Sequence, residues 1–104
     1  MHTLKKLPAI EVDVAEAAEW YETQRPGLGQ RFVHAIQSVD KVLLSNPLRY
    51  SVRFADIRRL NLMVFPYAIF FFLHNDEIVV LAVLHNRRDT RSILERRRRI
   101  AASL

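Results

Sequence analysis

Two apolar stripes at helical spacing occupy the first half of the chain. Val14, Ala17, Ala18 and Tyr21 follow an i, i+3, i+4, i+7 pattern, and Glu16, Glu19 and Glu22 fall largely on the other side. Phe32, Ile36, Val39 and Leu43 form a second stripe, which begins near Leu28 or Gly29 and is closed by Asn46-Pro47, because a residue before proline avoids the helical region. RPGLG at 25–29 separates the two, so the pair is expected as an antiparallel helical hairpin. Upstream, residues 7–12 (LPAIEV) are expected as a short strand. Asp13 followed by Glu16 reads as a capping box that starts the first helix.

Beyond Tyr50 the period changes. Residues 52–54 and 57–64 read as extended, with Leu60, Leu62 and Val64 alternating against Arg59, Asn61 and Met63. Phe65-Pro66 punctuates. Residues 67–74 (YAIFFFLH) and 78–84 (IVVLAVL) are continuous apolar runs rich in aromatic or β-branched residues, of strand length, with Asn75-Asp76 as a tight turn between them. From Thr90 onward the chain reads as a basic helical tail. The layout is β-α-α-β-β-β plus tail. This is an α+β fold with a helical hairpin on one face of a small, mostly antiparallel sheet, in one domain over residues 1–104 with its core at about 7–90. The last two strands are apolar on both faces, while two helices cover only one. A dimer mate, a partner chain or the tail folded back must cover the other.

Charge adds an asymmetry. The net charge is +5, yet residues 1–85 hold nine basic and nine acidic side chains. The excess lies in residues 86–104, where seven arginines meet only Asp89 and Glu95. An arginine-rich end on a neutral body points to something anionic, either nucleic acid or an acidic protein. The absence of cysteine excludes disulfides, thiolate metal sites and cysteine nucleophiles, and fits a reducing compartment such as the cytoplasm. The longest apolar stretch, Leu62 to Leu73, is too short to span a bilayer and contains Pro66, so no membrane role is expected.

The candidate chemistry is narrow. His2, His34, His74 and His85 show no metal-ligand spacing, and two glycines, Gly27 and Gly29, cannot build a phosphate loop, so no metal and no cofactor is expected. No nucleophile turn surrounds a serine. What remains is basic and aromatic: Arg58 and Arg59 on one strand, Tyr67 at the start of the next, and His85, Arg87 and Arg88 at the end of the last. Counting back from the Asn75-Asp76 turn puts Tyr67 opposite Leu84. His85 and Arg87 then share one face, and Tyr67 and Arg88 the other. Arginines stabilise phosphate charge and His or Tyr can move a proton, so these are the parts of a metal-free ribonuclease. Equally, they describe solvated strand ends around a core tyrosine.

Five segments in order, AAEWYETQRPGLGQRF (17–32), NPLRY (46–50), DIRRLNL (56–62), FPYAIFFF (65–72) and IVVLAVLHNRRD (78–89), resemble the RelE/ParE superfamily of toxins from type II toxin–antitoxin modules. The resemblance implies the fold just derived. It also implies a small antitoxin partner whose segment wraps the toxin, with a heterotetramer or larger complex as the assembly. Two activities occur in the superfamily. RelE-like members cut mRNA on the ribosome with basic residues of the sheet and often a C-terminal tyrosine. ParE-like members block DNA gyrase by protein contact. Arg58 and Arg59 match the basic strand, and His85, Arg87 and Arg88 match the closing motif. No tyrosine follows Tyr67, and Leu62, Met63 and Val64 precede FPY where related sequences often carry arginines. The resemblance therefore favours a ParE-like toxin that acts by binding. An mRNA endoribonuclease and a degenerate nucleic-acid-binding module are the alternatives.

Overall fold

The computed structural model describes residues 1–103. Its elements run β1 (Thr3–Lys6), α1 (Ala9–Gln24), α2 (Leu28–Ser45), a 3₁₀ turn (Pro47–Arg49), β2 (Val52–Phe54), β3 (Ile57–Asn61), β4 (Tyr67–His74), β5 (Glu77–His85) and α3 (Arg91–Ala102). The five strands form one sheet in the order β1-β5-β4-β3-β2. β1 pairs parallel to β5, and every other pairing is antiparallel. The α+β hairpin-on-sheet architecture expected from periodicity is the one observed.

Both helical stripes do what their spacing requires. Phe32, Ile36, Val39 and Leu43 are buried, as are Ala17 and Tyr21, while Val14 and Ala18 pack half-buried beside them. They meet Leu60, Ile69, Phe71, Ile78, Val80 and Val83 on the first face of the sheet. Gly29 lets the hairpin close. A Cβ there would strike the Ala18 carbonyl oxygen, so only glycine permits this approach of α1 and α2. The Glu22 carboxylate accepts the Gly27 and Gly29 N–H groups at 2.9 and 3.0 Å, satisfying donors left open at the start of α2.

Two expectations are corrected and a third is decided among its alternatives. Residues 7–12 are not a strand. The strand is the polar Thr3–Lys6, and α1 begins at Ala9 with Pro8 just ahead of it, a position proline tolerates because the first helical turn needs no N–H from it. Asp13 is therefore not a cap but lies inside α1. β3 ends at Asn61 rather than residue 64. The Leu62 N–H bonds the Tyr67 carbonyl at 2.9 Å, and Met63 and Val64 stand in the intervening loop, 98% and 79% exposed. The second face of β4 and β5, for which a dimer mate, a partner chain or the folded-back tail was expected, is covered by the tail, because α3 folds back across it. Phe70, Phe72, Val79, Leu81, Ala82 and Leu84 are all buried there around Leu94.

A helix with four consecutive arginines covers an apolar face by using their stems and planes. The Arg98 guanidinium lies 3.7 Å from the centre of the Phe72 ring and forks onto Asp56 at 2.9 and 3.1 Å. Arg97 reaches to the open edge of β5. β1 follows β5 only as far as Val80, whose carbonyl accepts the Leu7 N–H, and the chain then turns into α1. Side chains take the place of the missing strand. Asp13 accepts the Val83 N–H at 2.9 Å, Arg97 donates to the Leu81 carbonyl at 3.1 Å, and the two meet in a bidentate pair at 2.6 and 2.9 Å. Their side chains are only 7% and 15% exposed. This clasp satisfies backbone groups and locks α1, β5 and α3 together.

Candidate functional site

The end of the sheet where β4 begins and β5 finishes is shaped by one extra residue. From the turn, His74 faces Glu77 and Phe71 faces Val80, but Phe70 faces Ala82, so Leu81 is a bulge in β5. The register slips by one, and Tyr67 stands opposite His85 rather than Leu84. Tyr67 and His85 therefore share the first face, contrary to the alternation expected from the turn. Their rings meet edge to face at 5.2 Å. Tyr67 also contacts Phe32 at 5.0 Å and Tyr21 at 6.1 Å.

A groove of about 240 Å³ opens over this pair, lined among others by Glu16, Trp20, Tyr67, His85 and Arg88. Burial raises the Tyr67 hydroxyl above its ordinary value, with Arg88 acting in the opposite sense, and burial together with Tyr67 raises Tyr21. His85 accepts the Arg87 backbone N–H on Nδ1 at 3.0 Å, which leaves Nε2 as the site of the proton on the neutral ring. Among the described residues no hydrogen bond joins Tyr67, His85 and Arg88. The structure packs the two rings against each other and does not link them as a proton-transfer couple. Trp20, 57% exposed at the rim, is a large apolar anchor that the basic-aromatic reading passed over. Its signal was its place on α1 outside the buried stripe.

The arginines of β3 divide between the faces. Arg58 lies toward the first, where it donates to the carbonyls of Tyr50 at 2.6 Å and Leu48 at 3.5 Å, so it ties down the segment after α2. Arg59 lies on the second face over the Phe70 ring at 5.4 Å. There it donates from Nε to Asn61 Oδ1 at 2.9 Å and from Nη2 to Asn86 Oδ1 at 2.8 Å. Burial and the neighbouring Arg53 lower the Arg59 guanidinium below its ordinary value. Tyr67, His85 and Arg88 are thus brought together, Arg87 is exposed in the following turn, and Arg58 and Arg59 stand apart from them and from each other.

A second concavity lies between α2 and the β3–β4 loop. It encloses about 410 Å³ and is lined by Val39, Val42, Tyr50, Leu62, Met63 and Val64, with Arg49 among its few polar residues. It adjoins a shallower hollow that shares Ala35, Val64 and Phe65 and carries Arg31 and His34. Val42, Met63 and Val64 are large and exposed side by side, the mark of an interaction surface.

A helical hairpin on the first face, an arginine-rich helix on the second, an exposed apolar trough and an aromatic-basic sheet end define a small α+β protein. The profile of ParE toxins of type II toxin–antitoxin systems, parDE, matches residues 5–90, and the chain belongs to that family. Among solved structures it is similar to the chromosomal ParDE toxin–antitoxin system from P. aeruginosa, with a TM-score of 0.74 and 20% identity over 82% of this chain and 96% of that one. At that identity the likeness speaks for the fold. No curated protein matches the sequence.

Proposed function

We propose that this protein is a cytoplasmic ParE-like toxin that arrests growth by binding an essential target, DNA gyrase in the first place, and that a cognate antitoxin neutralises it within a heterotetrameric or larger complex. Family membership over residues 5–90 supports the toxin reading. The observation that carries the binding mode is the apolar trough beside α2. Met63 and Val64 stand almost fully in solvent at its lip, which is costly for a free monomer and apt for a partner segment with apolar side chains. Arg49 at one end and Arg31 in the adjoining hollow suit carboxylates that flank such a segment. The sheet end supports action by contact. Tyr67 and His85 are packed ring to ring, and the hydroxyl is pushed toward its neutral form.

The test is induction in cells of the chain alone and together with the neighbouring reading frame, followed by supercoiling assays on purified gyrase. Arrest that the neighbour reverses, with supercoiling inhibited and transcripts intact, is the expected result. Translation-dependent cuts in mRNA, lost in Arg87→Ala, would replace this reading by the endoribonuclease. Uninhibited gyrase at stoichiometric toxin would remove the target.

A further inference from the structure

Past Val80 the edge of β5 has no neighbouring strand, and the clasp covers only the first part of it. The ladder shows which groups of the remainder face outward. The Asn86 N–H bonds the Pro66 carbonyl at 2.8 Å, so Tyr67 and His85 are a pair that exchanges no hydrogen bonds, and the backbone groups of His85 point away from β4. Val83, two residues earlier and opposite Ile69, has the same orientation, which is why its N–H reaches Asp13. The His85 carbonyl accepts the Arg88 N–H at 3.0 Å. Two outward groups remain without a partner among the described residues, the Val83 carbonyl and the His85 N–H. Val83 is almost fully buried, so its carbonyl is an acceptor kept from water with nothing to accept.

These two groups are what a single residue of a parallel strand engages, giving its N–H to one and taking the other on its carbonyl. Both Val83 and His85 line the groove between α1 and β5. The slot is closed at one end, because the Asp13–Arg97 pair holds the Val83 N–H and the Leu81 carbonyl, the contacts of a residue two positions earlier. An incoming chain therefore has an end there. Charge decides which end. Glu16 lines the groove one turn of α1 beyond Asp13 and has no hydrogen bond or ion pair among the described residues. It attracts an ammonium and repels a terminal carboxylate, so the chain starts at the clasp and runs parallel to β5, as β1 does. Its contact residue lies level with Leu84 and turns its side chain to the second face, and the next residue turns toward α1, where exposed Trp20 lines the rim. Arg88, also in the groove and without an ion pair among the described residues, suits an acidic side chain further on.

We propose that the open end of β5 binds the free amino terminus of an acidic polypeptide, which joins the sheet as a short parallel strand. The groove shares no lining residue with the trough beside α2. The proposal is tested on purified protein without reference to growth arrest.

Trp20 is the chain's one tryptophan, so its fluorescence reports occupancy of the groove directly. The full chain is titrated with the peptide Ala-Leu-Glu-Glu amide, with its N-acetylated form and with Ala-Leu-Lys-Lys amide, and amide exchange is followed at His85. The free-amine acidic peptide is expected to shift the fluorescence and slow exchange at His85, while acetylation and the lysine peptide each weaken binding about tenfold or more. Glu16→Gln should weaken the free-amine peptide to the level of the acetylated one and leave the acetylated one unchanged. Glu19→Gln, on an exposed part of α1 outside the groove, should change neither. Both glutamates are exposed, so neither variant depends on a core contact. Equal binding of acetylated and free peptides overturns the proposal, since the amine is then not read. So do equal losses in the two glutamate variants, which indicate diffuse attraction. A fluorescence change without protection at His85 also defeats it, because the peptide then rests on Trp20 and not on the edge of β5.

Discussion

Replacing Asp13 by alanine tests the clasp most directly. Its carboxylate is the counterion of Arg97 and the acceptor of the Val83 N–H, and both side chains are nearly withdrawn from solvent. Removing it leaves a buried guanidinium without a countercharge, a loss of about 3–5 kcal/mol. That figure already absorbs part of the unsatisfied Val83 amide, since neighbouring terms do not add. Against a total stability of about 5–15 kcal/mol for such a domain, a large share disappears. The melting temperature should fall by at least about 12 °C at the size-scaled slope for a domain near this length. The companion variant Asp13→Leu with Arg97→Met removes both charges together. It loses only the hydrogen bonds to Val83 and Leu81, so it should cost about 1–3 kcal/mol and be more stable than Asp13→Ala. Urea denaturation followed by circular dichroism gives the energies, and amide exchange at Val83 gives the local effect. A loss below about 1 kcal/mol, the scale of a surface pair, would refute the reasoning, as would a double variant no better than the sum of its single substitutions.

Gly29→Ala should cost about 1–3 kcal/mol, because α1 and α2 must part to admit the methyl group, and an unchanged denaturation midpoint would contradict the close approach. Ala55→Gly should gain about 0.5–1 kcal/mol, since Ala55 is held at φ 51° in the β2–β3 turn; a lower midpoint would show that its methyl group matters more than its strain. The Arg98 hydrogen bond lowers the Asp56 carboxyl below its ordinary value of 3.8. Its contribution is therefore present above about pH 4 and fades as the pH falls through the depressed value. Because Asp56 is half exposed, Asp56→Asn should cost under about 1 kcal/mol at neutral pH and flatten the acid limb of the stability curve. Tyr21 and Tyr67 shift the other way, with their neutral forms favoured by folding. Stability should fall as pH climbs from about 10 through their raised values, and Tyr67→Phe should soften that alkaline decline in thermal melts.

The helical hairpin was legible because its apolar residues recur at a spacing that only one face of a helix explains. The β4–β5 hairpin was legible because Asn75 tolerates the left-handed conformation, φ 54°, that its turn demands. The beginning of the chain misled for a physical reason. Thr3–Lys6 is a polar edge strand held by backbone pairing to β5, whereas LPAIEV carries the apolar side chains that mimic one. The bulge at Leu81 was invisible, since a strand apolar on both faces has no alternation to break. With it went the true neighbour of Tyr67 and the division of the arginines between two faces. The role of the tail was hidden by its charge. A stretch rich in arginine looks solvated until the ring beneath Arg98 and the carboxylate before Arg97 are known. Asn61 and Asn86 drew no notice because neither belongs to a motif; only the fold sets them on either side of Arg59.

The clasp joins residues 84 apart in the chain, and β1 must wait for β5 before it has anything to pair with. On a translating ribosome, therefore, the oily underside of β4 and β5 is made well before the segment that shelters it. Until Arg97 emerges, the nascent polypeptide carries a bare adhesive surface that chaperones, or another copy emerging on the same message, can seize first. Yield in the cell should then follow the rate at which synthesis crosses codons 86 to 102, a quantity that no measurement on the finished molecule reveals.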